Sequence, residues 1–111
     1  MSDTTPAQVL RFLRINAQGH DRAVGTQRIA EYFGLTDTRR VREIIAALRR
    51  QHEPVLSVSS GYYIPVSRED AAPGIHFLSQ LFAPLRESYE GAIAGVDTMF
   101  KPSLFDTQEV A

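Results

Sequence analysis

The clearest pattern of apolar positions follows Gly34 and predicts an amphipathic helix that ends near Gln51. Either Thr36 or Asp37 is suited to cap its start, because a short polar side chain can accept a hydrogen bond from an unpaired backbone N–H. Four apolar side chains stand at the i, i+3, i+4, i+7 spacing that places them on one side of such a helix: Val41, Ile44, Ile45 and Leu48. We expect this side of the helix to be buried.

Two further helices are predicted before this one. Residues 5–8 read Thr-Pro-Ala-Gln, a capping pattern for a helix that extends to about Ala17. A second helix over about residues 27–33 has Thr26 as its expected cap and Gly34 as its stop. The expected inward-facing residues are Val9, Leu10, Leu13, Ala17, Ile29, Ala30 and Phe33, with Phe12 at the margin. The second and third helices together predict a helix-turn-helix.

A β-hairpin is predicted after the third helix. Residues 55–58 and 62–64 are β-prone runs, and Ser59, Ser60 and Gly61 form a connection of hairpin length between them. The glycine stands where a positive φ is needed. This hairpin would be the wing of a small helical domain.

The segment from Ser67 onward begins with a capping pattern, and we expect Pro73-Gly74 to interrupt its first turns and Pro84 to kink or split it. From Ile75 onward, apolar residues alternate spacings of three and four over more than three heptads. The predicted dimer seam consists of Ile75, Leu78, Phe82, Leu85, Tyr89, Ala92, Val96 and Met99. A second copy of the chain is the expected partner, and the alternative is that the helix folds back on its own domain, aided by Phe77 and Leu81.

Charge is unevenly distributed along the chain and bears on its partners. Residues 1–66 contain nine Arg and six acidic residues, whereas residues 67–111 contain three basic and seven acidic residues, within a net charge of −1. The first part of the chain is therefore the expected site of any nucleic-acid contact.

The face of the third helix opposite its apolar side consists of Arg39, Glu43, Ala46 and Arg50. An arginine-rich face can contact phosphates or guanine edges in a DNA groove, or can simply be a solvated surface.

The resemblance of residues 7–65 to a known family is carried by three stretches: residues 29–36 (IAEYFGLT), 39–49 (RRVREIIAALR) and 61–65 (GYYIP). This part of the chain resembles a winged helix-turn-helix domain of the bacterial and bacteriophage type. The resemblance implies that the third helix enters the major groove of DNA while the wing contacts the backbone or the minor groove. The candidate DNA-binding residues are Gln27, Arg28, Thr38, Arg39, Arg40, Arg42, Glu43, Ala46, Arg49, Ser59 and Ser60.

The expected fold class is therefore mainly α with a small β-hairpin, a winged helix-turn-helix followed by a C-terminal dimerisation helix. The expected domains are residues 1–66 for DNA binding, 67–100 for oligomerisation and 101–111 as a flexible tail. The chain contains no cysteine and no run apolar enough to span a bilayer, so we expect a cytoplasmic protein. No enzyme motif, cofactor site or metal site is expected, because the three histidines are scattered without a second ligand at metal spacing.

Leu104 and Phe105 place two large apolar residues in the polar tail, which resembles the sliding-clamp-binding peptide of bacterial replication proteins in its Ser-Leu-Phe ending. The two side chains could equally pack against the last helix. We therefore expect a phage or mobile-element type transcriptional regulator that binds double-stranded DNA as a homodimer. The alternatives are a replication or packaging accessory protein that holds a partner through its tail, and a winged helix used only for protein contacts.

Overall fold

The computed structural model describes residues 3–100. Its helices are α1 (Pro6–Asn16), α2 (Thr26–Phe33), α3 (Thr38–Arg50) and α4 (Arg68–Met99), with a 3-10 turn at His20–Arg22. Strands β1 (Leu56–Val58) and β2 (Gly61–Tyr63) form an antiparallel hairpin. The predicted fold class, mainly helical with a small hairpin and a long C-terminal helix, is confirmed. Leu104 and Phe105 lie outside the described residues.

Local hydrogen bonds fix where the helices begin. Thr5 and Gln8 form the predicted reciprocal capping box at α1. At α3 the cap is Asp37, whose carboxylate accepts a hydrogen bond from the Arg39 N–H at 2.8 Å. The prediction that Thr26 caps α2 is wrong: Thr26 is the first helical residue, and Gly25 occupies the cap position without a side-chain bond.

The core lies in the first of two compact units, which extends to Ser79. The predicted apolar side of α3 is almost completely buried, each of its four side chains being at most 1% exposed. Phe12, expected at the margin of α1, is also buried. The buried set is Val9, Leu10, Phe12, Leu13, Ala17, Val24, Ile29, Ala30, Val41, Ile44, Ile45, Leu48, Val55, Leu56, Tyr63 and Ile64.

The hairpin is held against the segment that precedes α2. Val24 and Tyr62 exchange two backbone hydrogen bonds of 2.9 Å, which form an isolated antiparallel bridge beside the hairpin. The turn is shorter than predicted: Gly61 belongs to β2, with a φ of 143°. A Cβ on Gly61 would lie 2.3 Å from the backbone of Val24. The glycine therefore allows the close approach of two backbones.

Helix α4 continues through Pro73-Gly74, so the prediction of an interruption there is wrong. The Tyr63 hydroxyl donates a hydrogen bond of 2.7 Å to the Asp70 carbonyl and accepts one of 3.1 Å from the Gly74 N–H. These two groups are the i and i+4 partners of a regular helix. A side chain of the hairpin thus supports the first turns of α4. Burial raises the pKa of the Tyr63 hydroxyl, which favours the protonated form that donates this hydrogen bond.

Pro84 does not split α4 either, since the helix continues to Met99. In the first unit, Leu78 is half-buried and packs against the core. The sequence predicts this position for the dimer seam, and the structure instead uses it inside one chain. Ile75 remains 56% exposed. In the second unit, which begins at Gln80, the predicted seam residues are all exposed.

Candidate nucleic-acid interface

The outer face of α3 presents the arginines that the sequence places opposite the buried side. Arg39, Arg42, Glu43 and Ala46 are exposed, and Thr38 is half-buried at the first turn. Helical geometry accounts for this, because positions about 100° apart alternate regularly between core and solvent. The exposed face is therefore rich in guanidinium groups.

These guanidinium groups differ in what they already bind. The Arg39 guanidinium lies 3.3 Å from the Asp37 carboxylate, and Arg40 lies 3.8 Å from Glu43. Arg40 also donates a hydrogen bond of 3.2 Å to the carbonyl of Thr4, which ties the N-terminal segment to α3. Both arginines are thus partly neutralised or engaged.

Arg42 and Arg50 are the least engaged. Arg42 donates a hydrogen bond of 3.3 Å to the Thr38 hydroxyl, a neutral acceptor. Within residues 3–100, no carboxylate forms an ion pair with Arg42 or Arg50. Arg50 was not among the sequence candidates for DNA binding, although its position opposite the apolar side was a sufficient signal. The two side chains therefore present their full charge to solvent.

Arg49 is positioned differently, at the base of the hairpin. Its Nε donates a hydrogen bond of 2.8 Å to the Val55 carbonyl, and its terminal nitrogen donates one of 3.4 Å to the Ser57 hydroxyl. The guanidinium also stands 5.9 Å from the centre of the Tyr62 ring. Burial lowers the pKa of Arg49. Two of its five N–H donors are thus directed into the fold.

The start of α2 and the hairpin turn lie side by side. A Cβ on Gly25 would be 3.5 Å from the Ser60 carbonyl oxygen, so the turn runs directly beside the first turn of α2. Gln27, Arg28, Ser59 and Ser60 lie at this junction, and Arg28 and Ser60 are exposed. Gln27 donates a hydrogen bond to Glu31, and no side chain caps the helix. Free N–H groups beside hydroxyls can bind phosphate oxygens.

His20 forms a long-range contact that the sequence did not indicate. Its ring Nδ1 lies 2.6 Å from the Asp70 carboxylate, and its backbone N–H donates to the same oxygen at 3.0 Å. These bonds lower the pKa of Asp70, because hydrogen bonds to a carboxylate favour its charged form.

Among the described residues there is no group of three side chains suited to hold a metal ion. In the same part of the chain, no helix is long and apolar enough to cross a membrane.

An aromatic cluster on α1 and α2 was also not predicted. The rings of Phe12 and Tyr32 are centred 4.4 Å apart, and Phe33 lies 4.9 Å from Tyr32. With Ile15 they line an open groove of about 360 Å³ between α1 and α2. Periodicity misses such a patch because Ile15 and Tyr32 stand on the faces that it assigns to solvent.

Comparison of the chain with protein-family models, with curated proteins and with solved structures finds no match.

Proposed function

We propose that this protein is a sequence-specific double-stranded DNA-binding protein, a cytoplasmic transcriptional regulator of the phage or mobile-element type that acts as a homodimer. The observation that carries the proposal is the exposed face of α3, on which Arg42 and Arg50 have no carboxylate partner within residues 3–100. The resemblance of residues 7–65 to winged helix-turn-helix domains supports the same function.

The neighbouring elements add groups suited to the same ligand. The uncapped start of α2 and the hydroxyls of Ser59 and Ser60 supply neutral donors for phosphate oxygens. The hairpin carries no Arg or Lys between Pro54 and Val66. Neutralisation of phosphate charge would therefore come mainly from α3. DNA affinity should fall as the salt concentration rises, with a slope set by the small number of phosphates that α3 contacts.

The test removes one guanidinium from α3 and a matched one from α1. Arg42→Ala should weaken binding to a selected DNA site by about 1–3 kcal/mol, and should reduce the salt slope by about one if the contact is to a phosphate. Arg11→Ala removes the same charge from an exposed position on α1 and should leave affinity nearly unchanged. Binding is measured by fluorescence anisotropy, on a site obtained by selection from a random DNA pool.

Two results would contradict the proposal. One is the absence of salt-dependent DNA binding by the intact protein, which would favour a winged helix used for protein contacts. The other is an equal loss of affinity in Arg42→Ala and Arg11→Ala, which would mean that general charge rather than the α3 face attracts the DNA.

A further inference from the structure

The helix of the second unit leaves a large apolar surface exposed to solvent. Eight large apolar side chains between Leu81 and Phe100 are 48–75% exposed. At the usual sizes of such side chains, they offer on the order of 800 Å² per copy, the area that a stable interface of ordinary size buries on each partner. A second copy of the same helix, lying along this face, would provide matching apolar surface.

The seam positions on this face differ in size between its two halves. Phe82, Leu85 and Tyr89 occupy the first half, and Ala92, Val96 and Met99 occupy the second half. A parallel pair would set Tyr89 against Tyr89 and Ala92 against Ala92, crowding one layer and leaving space in the next. Close packing favours layers of similar volume.

We propose that the C-terminal helices of two copies pair in the antiparallel direction, a proposal that rests on the proposed function for its dimeric form. In this arrangement Tyr89 packs on Ala92 of the second copy, Leu85 on Val96, and Phe82 on Met99. Each layer then combines a position of the first half with one of the second half, as in antiparallel coiled coils.

The charged residues of this helix also favour the antiparallel direction. Arg86, whose guanidinium lies 3.3 Å from Glu90 in its own chain, comes level with Gly95 of the second copy and within about half a turn of its Asp97. In a parallel pair, Glu87, Glu90 and Asp97 would each stand level with their own counterpart. The antiparallel pair moves the two Glu87 residues about 10 Å and the two Asp97 residues about 20 Å apart along the axis, and leaves Glu90 nearly level with its counterpart.

The direction of pairing also sets the distance between the N-terminal ends of the two paired segments. In the antiparallel register the two Gln80 residues are separated by about 32 Å along the helix axis, at a rise of 1.5 Å per residue. In a parallel pair the same residues would be separated only by the interhelical distance of about 10 Å.

The chain contains no cysteine, so single cysteines report on the pair without background. Nitroxide labels are placed on Gln80→Cys and, separately, on Ala94→Cys, both exposed and outside the apolar face. Distances between the two copies are measured by pulsed electron paramagnetic resonance in the full-length protein. The antiparallel pair predicts a distance at Gln80 that exceeds the one at Ala94 by at least about 10 Å, because the labels are offset along the axis by about 32 Å and 10 Å respectively.

Disulfide formation tests the register independently. A mixture of Leu85→Cys and Val96→Cys proteins should form the mixed disulfide at least about tenfold faster than Leu85→Cys links to itself. Position 85 of one copy would be about 16 Å along the axis from position 85 of the other, beyond the reach of a disulfide.

Equal label distances at the two positions, or rapid self-linking of Leu85→Cys, would overturn the proposal in favour of a parallel pair. Sedimentation of the unmodified protein as a monomer at tens of micromolar would overturn it as well. Loss of DNA binding alone would refute only the proposed function, because the label distances do not depend on DNA.

Discussion

Arg49 and Arg50 are neighbours on α3, yet their guanidinium groups have different surroundings. Arg49 donates hydrogen bonds to Val55 and Ser57 at the base of the hairpin. Arg50 is exposed, and no residue of the described chain forms an ion pair with it. The same side chain thus has a structural role at one position and is available for a ligand at the next.

This contrast predicts opposite effects of two identical substitutions. Arg49→Ala should lower the free energy of unfolding by about 1–3 kcal/mol, because the Val55 carbonyl loses a charge-assisted hydrogen bond. Arg50→Ala should change the free energy of unfolding by less than about 0.5 kcal/mol and should weaken DNA binding instead. Urea unfolding and anisotropy titrations measure the two quantities. Equal destabilisation by both substitutions would show that the hairpin does not depend on Arg49.

At the scale of elements, the contact between the hairpin and α4 depends on a glycine. Gly74 is buried, and a Cβ there would lie 2.6 Å from the Tyr63 hydroxyl and 2.7 Å from Leu56 Cβ. Glycine normally weakens a helix interior relative to alanine. Here the close packing of β1 and β2 against the helix outweighs that cost.

Gly74→Ala should therefore destabilise the protein, by about 1–3 kcal/mol as for other overpacked core positions, although it raises helix propensity. Gly91→Ala is the matched control, because nothing lies within 4 Å of the Cβ it would add. That substitution should leave the melting temperature unchanged or raise it slightly. Thermal unfolding followed by circular dichroism measures both variants. Stabilisation by Gly74→Ala would mean that α4 is not packed tightly on the hairpin.

At the scale of the whole molecule, the proposed homodimer depends on the apolar face of the second unit. Leu85 is 67% exposed within one chain, so a charge at this position costs little in a monomer. In a paired helix the same charge would be buried without a partner. Leu78 is not a suitable test position, because it packs on the core of its own chain.

Leu85→Asp should convert the dimer to monomers in sedimentation without changing the thermal unfolding of the first unit. Affinity for a palindromic site should fall more than affinity for a half-site, because only the palindrome engages both copies. Ala94→Asp introduces the same charge outside the apolar face and should leave the dimer intact. If both variants remain dimers, the interface lies elsewhere than on this face.

The sequence alone determined those features that depend on a few neighbouring residues. The buried side of α3, the capping box at Thr5 and the stop at Gly34 all follow from spacing and backbone geometry within about two helical turns, and the structure confirms each of them. The arginine face of α3 follows from the same periodicity, since burying one side of a helix exposes the other.

Only the tertiary structure decided how residues far apart in the chain are used. The bonds from Arg49 to the hairpin, the His20–Asp70 contact and the need for glycine at position 74 each join separate elements. Local signals were even misleading at Pro73-Gly74, where the sequence predicts a break and the helix continues. The physical reason is that local propensities amount to about 1 kcal/mol for glycine and 3 kcal/mol for proline, and packing against a hairpin with a supporting hydrogen bond from Tyr63 can exceed them.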